Sequence, residues 1–299
     1  AHAERLIVSA HVAVIGAGPG GYAGGFYAAD LGMKVTLIDN EKNPGGVCLY
    51  RGCIPSKALL HVAKLLDESK HAKEGGIEFG AAKIDLDKLR DYKNRVVEKL
   101  TSGTGQDSKF RKANYIQGWA SIIDPTTIKV KKGDATDEIV NVDYMILALG
   151  SLPTKIPSLS ISSPRVLDST GALDLPEIPK SMLVIGGGYI GLELGSVYAA
   201  LGTKVSVVEM TPGLLPGADR DLVQVLEKRL KGLFAAIMLN TKVVKVADEG
   251  KAIRVTFEGD SKEGRECVPA DGAENEQVFD RVLVADGRRP NSKIPGLET

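Results

Sequence analysis

Gly16-Ala17-Gly18-Pro19-Gly20-Gly21 follows the apolar run Val12 to Ile15 and opens a helical pattern of small residues that reaches Leu31-Gly32. Lys34-Val35-Thr36-Leu37-Ile38-Asp39 comes next, a second strand pattern that ends in an acid. Strand, G-x-G-x-x-G, helix, strand and carboxylate make a mononucleotide-binding half. Glycines allow the tight turn and close backbone approach to a pyrophosphate, the helix N-terminus receives its charge, and the acid takes ribose hydroxyls. One such run alone would be weak evidence, but this one recurs. Leu183-Val184-Ile185 enters Gly186-Gly187-Gly188-Tyr189-Ile190-Gly191 and continues to Lys204-Val205-Ser206-Val207-Val208-Glu209. Gly16 returns as Gly186 and Asp39 as Glu209, each 170 residues on with no gap between them. Ordinary tight turns would not share a whole strand-helix-strand frame. The spacing therefore predicts an α/β chain of two Rossmann-like three-layer domains with two dinucleotide sites, Gly16, Gly18, Gly21 and Asp39 in one and Gly186, Gly188, Gly191 and Glu209 in the other.

A second informative stretch is Gly45-Gly46-Val47-Cys48-Leu49-Tyr50-Arg51-Gly52-Cys53-Ile54-Pro55-Ser56-Lys57. Its glycines let the chain pass close to a flat ligand, and Pro55 suits a first helical turn leading into Leu59, Val62, Ala63 and Leu66. Both cysteines are thus expected at one helix N-terminus, an environment that generally favours a thiolate over a thiol. Lys57 follows Cys53 by one helical turn. A redox pair is the leading reading. A structural bridge and a metal site are the alternatives, and no further ligands stand at recognisable zinc spacing.

Bulk properties agree with a packed enzyme-sized chain. The 299 residues are 43% apolar, and 38 Lys and Arg balance 38 Asp and Glu, so no net field draws nucleic acid or an anionic membrane. Three cysteines in this length do not make a disulfide scaffold; a redox pair with Cys267 spare suits a reducing compartment, and a cytoplasmic protein is expected. The N-terminal Ala1 to Arg5 leads into too polar a stretch for a signal peptide, and no apolar run of about 18 residues follows.

Between the two glycine turns, Asp85 to Leu100 reads as a surface helix with Leu86, Leu89, Val96, Val97 and Leu100 inward, and Thr101 to Lys109 as a loop or frayed helix. Tyr115-Ile116, Ser121 to Ile123, Thr127 to Val130 and Tyr144 to Ala148 read as short strands of a small antiparallel layer over the first sheet. Pro153 to Pro179, with five prolines, reads as a crossover without packed elements. Asp219 to Leu230 reads as an amphipathic helix with Leu222, Val223, Leu226 and Leu230 inward. Val243-Val244, Ile253 to Phe257 and Val278 to Val284 give further strands, separated by a polar excursion from Glu258 to Gln277. His61, on a helix after Leu59-Leu60, reads as a packing or surface residue rather than a base.

The cysteine stretch resembles the active-site signature of the flavoprotein disulfide reductases, the class I pyridine nucleotide-disulfide oxidoreductase family, and within it the dihydrolipoamide-oxidising members. Tyr50 departs from the Asn or His usual in that signature. The resemblance covers about Val12 to Leu297 and implies FAD at the first glycine turn and NAD at the second. It implies domains of 1–154 for FAD, 155–284 for NAD, inserted in the first, and 285–299 returning toward the FAD domain. It implies that Cys48 exchanges with substrate, Cys53 touches the flavin, and Lys57 and Glu193 lie near flavin and nicotinamide. Cofactor contacts carried over with it are Gly45, Gly46, Val47, Ala120 and Gly150 on the flavin side, and Tyr189, Ile190, Val243, Gly287 and Arg288 beyond. Leu149 and Asp286 depart from the small residues usual at the two domain exits. The implied reaction is dihydrolipoamide with NAD to lipoamide and NADH. Its implied partners are a lipoyl domain of a 2-oxo acid dehydrogenase complex and a second subunit, with no nucleic acid, membrane or metal. Relatives continue into a second flavin segment and a dimerisation domain that carries a His–Glu acid/base pair; nothing here matches either, so the 299 residues alone are expected to be inactive. Other disulfide reductases, of the glutathione or mercuric reductase type, and a non-catalytic dinucleotide-binding fragment are the rival readings.

Overall fold

The computed structural model describes residues 10–133, 136–159, 161–259 and 275–298. The N-terminal stretch with His2, Cys267 and most of the polar excursion before Gln277 lie outside the described residues. The chain divides into two compact units: residues up to Pro55, Asn94–Leu152 and from Arg289 on form one, and Ser56–Lys93 with Pro153–Arg288 form the other.

In the first unit the order is β1 (His11–Ile15), α1 (Pro19–Asp30), β2 (Lys34–Asp39), α2 (Gly46–Arg51), the start of α3 (Cys53–His71), the later part of α4 (Leu86–Phe110), β3 (Asn114–Gln117), β4 (Trp119–Asp124), β5 (Thr127–Lys131), β6 (Asp137–Asn141) and β7 (Tyr144–Leu147). A parallel sheet runs β3-β2-β1-β7. Strand alternation gives each face its own core: Val12 and Val14 pack with Ala28 and Leu37 on the α1 side, while Ala13 and Ile15 pack with Ile128, Val130 and Val140 on the other. That second cover is the antiparallel sheet β4-β5-β6.

The expected antiparallel layer is corrected in membership. Tyr115-Ile116 and Tyr144 to Leu147 join the parallel sheet as β3 and β7, and the third antiparallel strand is β6, which carries few apolar residues and had no strand reading. Short apolar runs do not encode which backbone they pair with. Thr101 to Lys109 is also corrected: it is helix, the last third of α4. Thr101 Oγ1 donates to Val97 O at 2.9 Å and Thr104 Oγ1 to Thr101 O at 2.8 Å, so the hydroxyls are satisfied within the helix. Gly105 there leaves room for Asn43, whose Oδ1 would lie 2.4 Å from a Cβ. Leu100, expected inward, is exposed.

The second unit contains most of α3 and the start of α4, then follows β8 (Ser151–Pro153), which ends at its boundary, with β9 (Val166–Leu167), α5 (Ser169–Leu173), β10 (Ser181–Ile185), α6 (Tyr189–Leu201), β11 (Lys204–Val208), α7 (Arg220–Leu233), β12 (Ala236–Met238), β13 (Thr241–Asp248), β14 (Ile253–Gly259), β15 (Glu276–Phe279), β16 (Arg281–Val284) and the start of β17 (Arg288–Pro290). Its parallel sheet runs β12-β11-β10-β16-β9. Met182 and Val184 face the helices with Leu194, Tyr198 and Leu230; Leu183 and Ile185 face the antiparallel sheet β13-β14-β15 with Ile253, Val255 and Phe279. Each unit is thus helix, parallel sheet and antiparallel sheet, a Rossmann-like three-layer stack, and the second interrupts the first in sequence.

Three expectations change here. Residues 56–93 group with the second unit: Leu59 and Leu89 lie in its core, Arg90 donates to Leu175 O at 2.8 Å, and buried Lys93 donates to Leu173 O at 2.8 Å. Pro153 to Pro179 is not bare crossover, because β9 joins the sheet and Ala172, Leu173 and Leu175 are buried. Pro157, Pro164, Pro176 and Pro179 bracket β9 and α5 without interrupting them. Leu222 on α7 is exposed, whereas Val223 and Leu230 are buried as expected. No helix among the described residues is long and apolar enough to cross a membrane.

Candidate functional site

The two glycine turns are built alike. Gly16 and Gly186 have positive φ values of 94° and 107°, which an L side chain rarely adopts. The Gly16 N–H donates to Ile38 O at 2.8 Å and that of Gly186 to Val208 O at 2.9 Å. Ala148 N–H donates to Ile15 O and Ala285 N–H to Ile185 O, both at 2.8 Å, so each turn leans on the exit of a neighbouring strand. The third glycines are sites of close packing: a Cβ on Gly21 would fall 1.8 Å from Gly16 O, and one on Gly191 2.4 Å from Gly186 O. Gly18 and Gly188 cap the helices with extended backbone.

The acids do more than wait for a ribose. Asp39 Oδ2 accepts from Ala17 N–H at 2.7 Å and Oδ1 from Glu41 N–H at 3.0 Å. Glu209 repeats this 170 residues on, accepting from Gly187 N–H at 2.7 Å and Thr211 N–H at 2.8 Å. Glu209 is buried, and those donors offset the cost of burying its charge. Each carboxylate therefore ties its own glycine turn.

Gly45 N–H donates to Ala17 O at 2.7 Å, and Gly46, at φ 56°, packs so close that a Cβ would lie 2.5 Å from Gly18 Cα. The cysteine stretch is thereby seated on the first glycine turn. The two sulfurs do not share one helix: Cys48, part-buried beside Val47, belongs to the short α2, while Cys53, exposed, begins α3 after a break at Gly52. Gly52 stands at the break, where a Cβ would meet Val47 O at 2.9 Å and only glycine fits without a shift. Tyr22 of α1 lies near both cysteines; burial raises its phenol pKa first, and their charges add to the rise.

In the second unit Lys57 Nζ makes two bonds to the Glu193 carboxylate, at 2.7 and 2.8 Å, and Ser56 Oγ stands 3.3 Å from the same group. Lys57 is one turn along α3 from Cys53. The pair is partly exposed, so its worth is directional more than energetic.

The remaining expected residues fall into two groups. Gly150, at φ 69°, accepts from Asn291 N–H at 2.9 Å, and Ala120 of β4 is part-buried against the Ile128 and Val130 cluster. Tyr189 is exposed and Ile190 part-buried in the first turn of α6, Gly287 accepts from Thr154 N–H at 3.1 Å, and Arg288 opens β17. Val243 faces the apolar core beside Val246 and Phe257, which leaves its backbone rather than its side chain for a ligand. Leu149 and Asp286 turn out to be counterparts. Their Cα atoms would each be met at 3.4 and 3.3 Å by a Cβ on Gly16 and Gly186 respectively. Leu149 packs against the apolar cluster of the first unit. Asp286 is exposed, so it needs no buried partner; partial desolvation, then the Glu209 charge, raises its carboxyl pKa.

Sequence reasoning missed the side chains that shape the loop after Asp39: Tyr50, Arg51 and Tyr115. Tyr50 Oη accepts from Asn43 N–H at 3.1 Å and donates to Asn43 O at 3.2 Å, Arg51 pairs with Glu41, and Tyr115 Oη donates to Glu41 O at 2.7 Å. In the sequence Tyr50 stands out only as a departure from the signature; its reach to Asn43 is set by the tertiary structure.

Both turns fit a dinucleotide. The first-turn amides of a helix have no intrahelical acceptor, a Cβ on Gly188 would meet nothing within 4 Å, and one on Gly18 would meet only Gly46 Cα at 3.7 Å. Among the described residues no cluster of His, Cys, Asp or Glu could hold a metal ion. Two dinucleotide-type folds, with a cysteine pair seated on the first of them, are the layout of a nucleotide-linked disulfide oxidoreductase family. The chain belongs to the pyridine nucleotide-disulphide oxidoreductase family, whose model matches residues 10–299, and the cofactors of that family are FAD and NAD. It is 45% identical over 291 residues to the dihydrolipoyl dehydrogenase of Vibrio cholerae, covering 97% of this chain and 59% of that protein. It is 39% identical to the mitochondrial dihydrolipoyl dehydrogenase of Dictyostelium discoideum, covering 96% and 58%. Among solved structures, the HOCl-induced flavoprotein disulfide reductase RclA of Escherichia coli superposes with a TM-score of 0.77 at 26% identity, over 96% of this chain and 59% of that one. LpdA of Mycobacterium tuberculosis, at 24% identity and a TM-score of 0.82 over 97% and 61%, shares the fold. The chain thus spans about 59% of the length of the curated relatives it matches.

Proposed function

We propose that this chain is the two-nucleotide portion of a dihydrolipoyl dehydrogenase, oxidising dihydrolipoamide with NAD, with FAD in the first unit and NAD in the second. The observation that carries the reading is the seating of the cysteine stretch on the first glycine turn through Gly45, Gly46 and Gly18, joined to 45% identity with a relative of that name. Gly16, Gly18, Gly21, Asp39 and Gly46 would hold FAD, and Gly186, Gly188, Gly191 and Glu209 would hold NAD. Bound FAD supplies the relay of an electron pair between thiols and a nicotinamide. With Cys48 and Cys53 joined as a disulfide, a substrate thiolate would attack Cys48 and release Cys53 as a thiolate, and the second substrate thiol would then displace Cys48, leaving oxidised lipoamide and a reduced cysteine pair that carries the two electrons. Lys57 follows Cys53 by one helical turn in the chain, and Glu193 fixes its ammonium with two hydrogen bonds. A lipoyl domain, a 2-oxo acid dehydrogenase complex and a second subunit are the partners this reading brings, in a reducing, cytoplasmic setting.

The full-length protein is expected to reduce NAD with dihydrolipoamide and to leave glutathione disulfide and mercuric ion unreduced; the reverse preference would favour the rival reductases. NAD should be preferred over NADP. A buried carboxylate at Glu209 accepts a 2′-hydroxyl and repels a 2′-phosphate, and nearby Arg220 spends its guanidinium on the carbonyls of Leu214, Leu215 and Ala218 at 2.6 to 3.0 Å. NADP binding as tight as NAD would count against this.

A further inference from the structure

Residues 40–45 form a strap between the acid of the first glycine turn and the cysteine-bearing α2. Its start is set by Asp39, whose carboxylate is oriented by the N–H groups of Ala17 and Glu41 at 2.7 and 3.0 Å, and its end by Gly45 N–H on Ala17 O at 2.7 Å. Thr104 Oγ1 of α4 donates to Pro44 O near the end of the strap, and Gln117 Nε2 of β3 donates to Asn40 O at 3.1 Å near the start. Its middle is held from α2, by the two side chains that lie between the cysteines. Tyr50 Oη pairs both the N–H and the carbonyl of Asn43, at 3.1 and 3.2 Å, and the Arg51 guanidinium pairs with Glu41. Tyr115 Oη, on β3, holds Glu41 O from the other side at 2.7 Å.

We propose that Tyr50 and Arg51 are positioning residues that hold the 40–45 strap, and through Glu41 the Asp39 carboxylate, in the shape that binds the adenosine half of FAD. The proposal rests on the assignment of the first unit to FAD. Moving Glu41 withdraws one of the two donors that aim the Asp39 carboxylate, so a slack strap turns the ribose acceptor away. Burial raises the Tyr50 pKa, against the opposing effect of the Asn43 hydrogen bond, so the phenol keeps the proton it donates to Asn43. The two contacts differ in weight. Removing the part-buried phenol leaves a backbone donor and acceptor without partners, whereas the Arg51–Glu41 pair is partly exposed and screened.

The test uses the full-length protein, with FAD dissociation constants measured by reconstitution of the apoprotein and NAD affinity measured alongside. Tyr50→Phe is expected to weaken FAD about tenfold and Arg51→Glu about threefold, with NAD affinity unchanged and kcat at saturating FAD within about twofold of wild type. The charge swap Arg51→Glu with Glu41→Arg is expected to recover most of the single-variant loss, which a general loss of stability would not do. Wild-type FAD affinity in Tyr50→Phe, or a swap no better than Arg51→Glu alone, overturns the proposal. So does a kcat loss with FAD affinity intact, which would place Tyr50 in the chemistry. If Tyr50→Phe does not fold, the swap decides by the same criterion. These arms read FAD binding and stand whatever the thiol substrate is. A wild-type protein that binds no FAD would remove the assignment beneath the proposal as well as the proposal.

Discussion

Gly21→Ala is expected to abolish FAD binding, while Gly20→Ala, one residue earlier, leaves it intact. A Cβ on Gly21 would sit 1.8 Å from the carbonyl oxygen of Gly16 and 2.9 Å from its carbon, both backbone atoms of a turn already fixed by Gly16 N–H on Ile38 O. No rotamer relieves such a contact, so α1 must move away from the sheet; overpacking costs typically about 1–3 kcal/mol even where side chains can yield, and here they are not what is struck. A Cβ on Gly20 meets nothing within 4 Å. Gly191→Ala is the counterpart in the second unit, 2.4 Å from Gly186 O and 2.9 Å from Val184 Cγ1, and should remove NAD binding while sparing FAD. Gel filtration with flavin absorbance and NAD titration of the full-length variants checks all three. Stoichiometric FAD in Gly21→Ala would show that the turn can open without loss.

Cys48→Ser and Cys53→Ser should each lower dihydrolipoamide turnover by about 10⁴-fold or more, the scale on which removing a nucleophile acts. Their spectra should differ. Cys53 begins α3 and has the flavin-side role in the proposed reaction, while Cys48 lies in the separate α2 and is the proposed partner of the substrate thiolate. Reduced Cys48→Ser should keep a long-wavelength thiolate-to-flavin absorption band that Cys53→Ser lacks. Identical spectra in the two variants would reverse or dissolve the assignment. The break at Gly52 makes this comparison informative: with the sulfurs on different helices, replacing one does not alter the helix that carries the other.

The repeated frame from Val12 to Asp39 and from Leu183 to Glu209 was legible in the amino-acid sequence because the residues that mark it lie within one short stretch, although each turn also leans on a distant strand exit. Strand, turn and helix follow within one βαβ unit, and glycine is required where a turn has positive φ or a Cβ would strike backbone. The cysteine spacing and the Lys57 turn were legible for the same reason. Pairing was not. Asn114–Gln117 and Tyr144–Leu147 look like the strands of the antiparallel layer, and only their hydrogen bonds to β2 and β1 put them in the parallel sheet. Residues 56–93 lie early in the chain yet pack with the second unit, since Leu59 and Leu89 find their apolar partners there, an outcome set by long-range burial rather than by neighbouring residues. The Gly-containing end of α4 is helical because its hydroxyls bond back within the helix and Gly105 accommodates Asn43. Tyr50 and Arg51 carry no motif at all. Their partners Asn43 and Glu41 lie seven and ten residues earlier, and a turn of chain through Gly45 and Gly46 must fold before a phenol and a guanidinium can reach them.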